Sequence, residues 1–447
     1  MIAAYLTVLA ASAGTTFALV PLCNRLAHRW GAIAIPSDRR VHTSPTPALG
    51  GAAMFVGLIV GIVVASRVGQ FGQIFESRSN IVGTLAAAFL IFWTGAVDDV
   101  REVTAPAKMA GMVLAGSVLS LSGVSIVNLP LPLLGFTVLS PDLAALVTVI
   151  WVVVMANAVN FLDGLDGLAA GVMAIAAGAF LLYSVNLDRK GLLFDGNPGP
   201  LIAVIVLGLC CGFLPWNFHP AKTFMGDSGA LLLGLLLAAS TIAVGGQSDA
   251  SFTGQSWFFF APLVIPLLIL GIPLGDMVFA ILRRATRRSG LATADKDHLH
   301  HRLLRLGHGH RQSVVILWMW TAILSAFALY PAFTQRSTLM LPIALAGLAL
   351  LLFTLLAPWF GRRRGSDADD DSEDHEGSER PGVERPGVAD SAGLDTLSEE
   401  RMIQGLPRTG ETPPGGEEVT EVIDLNESTT GTNPGQTVDQ LSPRKSS

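Results

Sequence analysis

Asn157, Asn160, Asp163 and Asp166 recur every three residues within the stretch Val154–Gly171. They follow Leu143–Ala156, a run without a single charge, and another apolar run leaves from Leu168. Amides and carboxylates at the end of a membrane-length helix are costly unless water, a cation or a substrate satisfies them. If the helix continues through Asn160, Asn157 and Asn160 lie one turn apart on neighbouring faces. Gly164 and Gly167 then allow a tight turn that folds both Asp-Gly steps back beneath the helix ends. The plainer alternative is a polar hairpin capped by its own Asx side chains.

Other polar groups interrupt the apolar sequence in the same way. Asp98 and Asp99 close the apolar stretch at 81–97. Adjacent carboxylates repel, so one of them should hold its proton more tightly unless a cation intervenes. A water-exposed helix terminus is the rival reading, but a carboxylate at a helix C-terminus opposes the helix dipole. Arg101 and Lys108 follow and suit anionic phosphate oxygens. Asp227 lies between glycines in Phe224-Met225-Gly226-Asp227-Ser228-Gly229, just before an apolar stretch. Such a backbone can approach a phosphate closely, and the helix N-terminus that follows favours anions. Asp227 is then either an N-cap or a metal ligand.

His298, His300, His301 and Arg302 occupy an Arg-rich loop with no Cys near. Zinc needs a closed ligand set, so a phosphate and sugar contact is preferred to zinc ligation or to a merely solvated basic loop. Asp276 lies inside an apolar stretch, seven residues before Arg283. An intramembrane carboxylate is a site candidate by default, with snorkelling towards a basic partner equally open. Carboxylates and amides without cysteine suit Mg2+, with Mn2+ as the substitute. Glycine-rich loops and cations complete a phosphate-handling site, and the residues argue for phosphoryl transfer.

The elements that position these residues are apolar. Of 447 residues 51% are hydrophobic and the mean hydropathy is +0.53, yet the charges are segregated. Residues 1–364 carry 23 Lys+Arg and 15 Asp+Glu; residues 365–447 carry 6 and 20. The first part reads as an all-α polytopic membrane domain. The second, rich in Asp, Glu, Ser, Gly, Pro and Thr, cannot bury enough apolar surface to fold and reads as a disordered acidic tail. Eleven apolar stretches, at about 2–22, 51–66, 81–97, 109–127, 143–160, 168–185, 201–216, 229–244, 257–282, 313–333 and 339–360, approach bilayer length. Arg25 and Arg29 come after the first of them, which argues for an uncleaved span with its N-terminus outside. That orientation gives the inner side 18 Lys+Arg and the outer side 5, as the positive-inside rule demands. All the polar motifs then fall on one face, which predicts a single cytoplasmic site. Cys23, Cys210 and Cys211 read as packing residues.

The motifs Asp38–Gly51, Asp98-Asp99, Asn157–Gly167, Phe224–Gly229 and the His loop occur in an order that resembles the polyprenyl-phosphate N-acetylhexosamine-1-phosphate transferase superfamily, glycosyltransferase family 4. The resemblance covers about residues 1–360. It implies that a nucleotide-activated amino sugar gives its sugar 1-phosphate to a membrane polyprenyl phosphate and releases UMP. It further implies Mg2+ on Asp227 and Asn160, Asp98, Asp99 and Asp163 in the chemistry, and Lys108 near the lipid phosphate. Asp166 and Phe224 would lie near the uridine. Asp297-His298-Leu299-His300-His301-Arg302 looks like the UDP-GlcNAc branch, whereas phospho-MurNAc-pentapeptide transferases carry three consecutive histidines. The expected partners are UDP-GlcNAc, polyprenyl phosphate and the bilayer of a plasma membrane, with no nucleic acid and with a homodimer left open. The rival from another class, a membrane lipid or sugar transporter, places its charges near the midplane and often shows inverted repeats. Here the charges sit at one edge and no repeat is found. A CDP-alcohol phosphotransferase needs an Asp-rich helix with an Ala-Arg step, which this chain lacks.

Overall fold

The computed structural model describes residues 2–34, 45–76, 78–101, 103–131, 135–247 and 309–333, with parts of 342–354. Helices dominate: α1 Ile2–Trp30, α2 Gly50–Arg67, the short α3 Gly72–Glu76, α4 Arg78–Val100, α5 Ala105–Leu121, α6 Pro141–Leu162, α7 Leu168–Arg189, α8 Gly199–Asn217, α9 Gly226–Thr241 and α10 His310–Phe333. Two small antiparallel ribbons interrupt them. Strand β1, Ile33–Ala34, pairs with β2, Thr46–Pro47, while β3, Asn128–Leu131, pairs with β4, Gly135–Val138. Among the described residues eight helices are long and apolar enough to cross a membrane, and α5 is a shorter apolar one. The protein is a polytopic helical membrane protein.

These nine helices fall on the apolar stretches of the sequence; 257–282 lies outside the described residues, as does most of 339–360. Helix α1 runs on past 22 to Trp30, and α5 differs at both ends. The stretch expected at 109–127 starts earlier, because Thr104 is extended at the N-cap and Pro106 fits the first turn. It also stops earlier, at Gly123, where φ is +99°, a conformation that glycine adopts without penalty. The apolar residues beyond Gly123 lead into β3 instead of completing a span.

Helix α9 is the centre. Every residue from Ser228 to Thr241 is buried, so a helix that is apolar all round finds neighbours on every side. It packs against α2, α4, α6 and α8, while α1 lies on α2 and α8, α5 joins α4 to α6, and α10 covers α7. Small residues permit this closeness, as in other helix pairs in membranes. A Cβ at Gly234 would lie 2.5 Å from Ala156 Cα on α6, so the two backbones are in direct contact.

The connections sort into two ends. At one end Gly50 and Gly51 N–H donate to Phe224 and Met225 O at 3.0 and 2.9 Å, and Phe224 N–H donates to Pro47 O at 2.8 Å. At the other, Val127 N–H donates to Gly246 O at 2.9 Å and Asn197 Nδ2 donates to Ala243 O at 2.7 Å. The first end gathers the loops around 47, 98–108, 160–167 and 217–228, which carry the described polar motifs. The second gathers 122–131, 135–139 and 194–199.

The packing at Gly234 gives a paired prediction. Gly234→Ala should lower the thermal unfolding midpoint in detergent, because overpacking costs about 1–3 kcal/mol. Gly178→Ala in α7 should hold or raise it, since its Cβ would meet only Leu207 methyls at 3.8–3.9 Å and Ala is the better helix former by roughly 0.5–1 kcal/mol. Equal midpoints for the two variants would contradict the close α6–α9 contact.

Candidate active site

The site is built on the first turn of α9. Gly226 has φ +69°, and a Cβ there would lie 2.5 Å from both Asp99 carboxylate oxygens and 2.6 Å from Ala48 O. Glycine alone lets the chain enter α9 this close to α4. Asp99 Oδ1 accepts from Asp227 N–H at 2.7 Å; Asp99 Oδ2 accepts from Ser228 N–H at 3.1 Å and from Ser228 Oγ at 2.6 Å. Here the structure corrects one expectation. The anion favoured by the α9 N-terminus is the carboxylate of Asp99, so those amides are already occupied rather than open to a phosphate.

Asp98 turns the other way. Its Oδ1 accepts from Val103 N–H at 2.8 Å, and its Oδ2 meets Lys108 Nζ at 3.1 Å. The two adjacent carboxylates diverge, Asp99 towards α9 and Asp98 towards Lys108, the cation beside it. Lys108 Nζ also contacts Asp227 Oδ2, while Asp227 Oδ1 accepts from Asn160 Nδ2 at 2.8 Å. Four elements, α4, α5, α6 and α9, therefore each send one side chain into a single cluster. The side chains of Asp98, Lys108 and Asp227 keep 17, 18 and 27% of their surface, enough for a substrate to reach them.

The turn between α6 and α7 adds two more carboxylates. Asp163 is the C-cap of α6. Its carboxyl is pushed up to about 7, first by burial and then by the negative charges of Asp99 and Asp166. Asp166 Oδ2 accepts from His219 Nδ1 at 2.7 Å, the proton being assigned to that nitrogen, and from Ala221 N–H at 3.1 Å. Asp166 thus faces the loop after α8, not the Lys108 cluster. Gly167, at φ +79°, donates its N–H to Asn217 Oδ1 at 3.0 Å, and Asn217 Nδ2 donates to Thr223 O at 2.9 Å. One buried amide thereby ties the Asp163–Gly167 turn to the loop that carries Phe224 and Asp227.

Asn157 stays apart: its Nδ2 donates to Val153 O at 2.8 Å and approaches Met112 Sδ at 3.3 Å on α5. Phe224 contributes backbone hydrogen bonds to Pro47 and Gly50 and is half-buried. Asp38–His42, Asp276, His298, His300, His301 and Arg302 lie outside the described residues. Ser228, Asn217 and His219 were not singled out by the sequence. Their signal is faint: polar side chains at the end of an apolar helix, beside motifs that draw more attention.

Comparisons with known proteins show the family. The family model described as glycosyl transferase family 4 matches residues 81–245. A decaprenyl-phosphate N-acetylglucosaminephosphotransferase of Mycobacterium tuberculosis is 39% identical over 363 residues, covering 79% of this chain and 88% of its own length. The chain belongs to glycosyl transferase family 4. A probable undecaprenyl-phosphate N-acetylglucosaminyl 1-phosphate transferase of Bacillus subtilis is 32% identical over 315 residues, 70% of this chain and 81% of that protein. A phospho-N-acetylmuramoyl-pentapeptide-transferase of Mycobacteroides abscessus is 30% identical over 314 residues, 62% of this chain and 81% of that protein. The segment matched by the family 4 model runs from α4 to the end of α9, so it holds every residue of the cluster described above.

Asp163 gives a pH prediction. A raised carboxyl is neutral below its midpoint, so its contribution to stability is complete below the ordinary value of 3.8 and is lost as pH rises through about 7. If turnover needs the ionised form, kcat/KM should rise about tenfold per pH unit up to about 7 and then level off. Asp163→Asn should lower the plateau and remove that limb. A limb of unchanged midpoint in Asp163→Asn would assign the titration to another group.

Proposed function

We propose that this protein transfers GlcNAc-1-phosphate from UDP-GlcNAc to a membrane polyprenyl phosphate, forming polyprenyl-diphosphate-GlcNAc and UMP. The observation that carries the reading is the convergence of Asp98, Lys108, Asn160 and Asp227 at one end of a helical membrane bundle. The names of its relatives supply the substrate class. A phosphate oxygen of the lipid attacks the sugar-side phosphorus of the UDP-sugar, a new P–O bond forms, and the bond to the bridging oxygen of UMP breaks. One diphosphate is exchanged for another, so the reaction should run nearly thermoneutrally in both directions.

The residues present fit Mg2+. Asp227 and Asn160 offer a carboxylate and an amide oxygen, since Asn160 uses only its Nδ2 on Asp227. The donor set contains no sulfur, as a hard ion prefers. Bound there, Mg2+ would neutralise charge on the transferring phosphates. Lys108, already a cation between two carboxylates, is placed to hold a phosphate by exchanging one anionic partner for another. Asp98 and Asp163 are the candidates to accept a proton from a monoprotonated lipid phosphate. Asp99 is a positioning group, because all three of its hydrogen bonds go to the chain of α9. The charge asymmetry of the sequence supports a plasma membrane orientation with this end in the cytoplasm, where a soluble nucleotide sugar is available.

A single assay tests the reading. Purified protein with UDP-GlcNAc, polyprenyl phosphate and Mg2+ should release UMP, and added UMP should drive the product back to UDP-GlcNAc. Asp227→Asn should lower turnover by at least about a hundredfold, roughly 2.7 kcal/mol of barrier, and Asn160→Ala less. Release of UDP instead of UMP would refute the transfer of the phosphate with the sugar. Exclusive use of UDP-MurNAc-pentapeptide would keep the chemistry and change the donor.

A further inference from the structure

We propose that the end of α1 and the loop after α8 together bind the headgroup phosphate of an anionic phospholipid of the surrounding bilayer, through Arg25, Arg29 and Lys222. The exposed face of α1 is a single helical stripe. Leu6, Ala10, Phe17 and Leu22 are exposed on it, and Arg25 and Arg29, also exposed, follow Leu22 at helical steps of three and four. From Leu6 to Leu22 the stripe rises about 24 Å at roughly 1.5 Å per residue, most of a hydrocarbon core of about 30 Å. The cations therefore stand where acyl chains end and headgroups begin. Trp30, exposed at the end of α1, and Trp216 mark the same level, as aromatic side chains do at a membrane interface.

The second element is fastened to this stripe. Trp216 Nε1 donates to Phe17 O at 3.1 Å, and the two ring centroids lie 5.3 Å apart. The chain then folds back, so that Lys222 N–H donates to Trp216 O at 2.8 Å and Lys222 Nζ stands 5.8 Å from the centroid of the Trp216 ring. Asn24, the residue before Arg25, donates from Nδ2 to Lys222 O at 3.4 Å and accepts at Oδ1 from Thr223 Oγ1 at 2.9 Å. The backbone of Lys222 is thus held against the turn of α1 that carries Arg25, which lowers the ordering cost of binding a headgroup there.

Arg25, Arg29 and Lys222 form no ion pair with a carboxylate among the described residues. A phosphodiester offsets their mutual repulsion and accepts charge-assisted hydrogen bonds from them, while its acyl chains lie along Phe17 and Leu22. The occupant must therefore carry an anion at one end and hydrocarbon at the other. The segment 365–447, with 20 Asp+Glu, supplies the charge without the hydrocarbon. A polyprenyl phosphate has both, but the proposed reaction takes it to Lys108 on α5. Lipid binding at α1 needs no turnover, so it stands or falls apart from the transfer reaction.

The test uses the full-length protein in neutral detergent, titrated with dioleoylphosphatidylglycerol or dioleoylphosphatidylcholine and read by native mass spectrometry. The first phosphatidylglycerol should bind at least about tenfold more tightly than the first phosphatidylcholine, and added salt should shrink that ratio. Arg25→Gln combined with Lys222→Gln should bring the ratio close to unity, whereas Arg25→Lys combined with Lys222→Arg should keep it. Arg67→Gln combined with Arg189→Gln removes the same charge from exposed positions at the other end of the bundle and should also keep it. Equal binding of the two lipids by the parent protein, an equal loss in both charge-removing pairs, or displacement of phosphatidylglycerol by equimolar polyprenyl phosphate would each overturn the site. So would a preference that emerges only when residues 365–447 are deleted, since the acidic segment would then be the occupant.

Discussion

The carboxylate of Asp99 against the first turn of α9 is the interaction on which the rest of the site depends. A buried helix N-terminus has unsatisfied N–H groups that must find acceptors. In this protein one carboxylate accepts from the amides of Asp227 and Ser228 and from the Ser228 hydroxyl. A carboxylate is also favoured by the partial positive charge at a helix N-terminus. With the first turn of α9 fixed in this way, the side chain of Asp227 has one direction to take, towards Lys108 and Asn160. Truncating Asp99 to Ala would leave these buried donors without their acceptor, a cost of about 1–3 kcal/mol for each group.

That contact requires α4 and α9 to approach almost backbone to backbone, and the same is true of α6 and α9 at Gly234. Small residues make both approaches possible. Because α9 is enclosed on every side, it behaves as a rigid post rather than a mobile element, and rigid elements hold a site more exactingly than loops do. The reacting groups come from four elements, so no single local segment could form the cluster before the bundle is packed. Asn217 extends the same logic to the Asp163–Gly167 turn: a fully buried amide, bonded on both sides, couples two loops that meet at the same end.

Much of this was legible in the sequence. Apolar runs of bilayer length located the described helices, and the spacing of Asn160, Asp163 and Asp166 located the turn after α6. The partition of loops into two sides agrees with the hydrogen bonds at each end of the bundle. Other features resisted because they are tertiary. Nothing local says that Asp98 and Asp99, adjacent in sequence, serve opposite purposes; that follows from where α5 and α9 lie. Asn157 shares the three-residue spacing but faces Met112, since a helical rotation of about 100° per residue carries i and i+3 apart by some 60°. Asp166 paired with His219 across a loop that periodicity does not describe, and the short ribbon after α5 replaced apolar residues that composition alone assigned to a span.

The central claim is that Asp99 acts through Asp227, by fixing the turn that presents it. A double-mutant cycle of Asp99→Asn and Asp227→Asn, read as the rate of UMP release in a radiolabelled assay, addresses this directly. Residues that act as one unit are strongly non-additive. The account predicts that the double variant is no slower than Asp227→Asn alone, within a few-fold. A double variant slowed by the full product of the two single effects would show that Asp99 acts independently of Asp227, and would contradict the account.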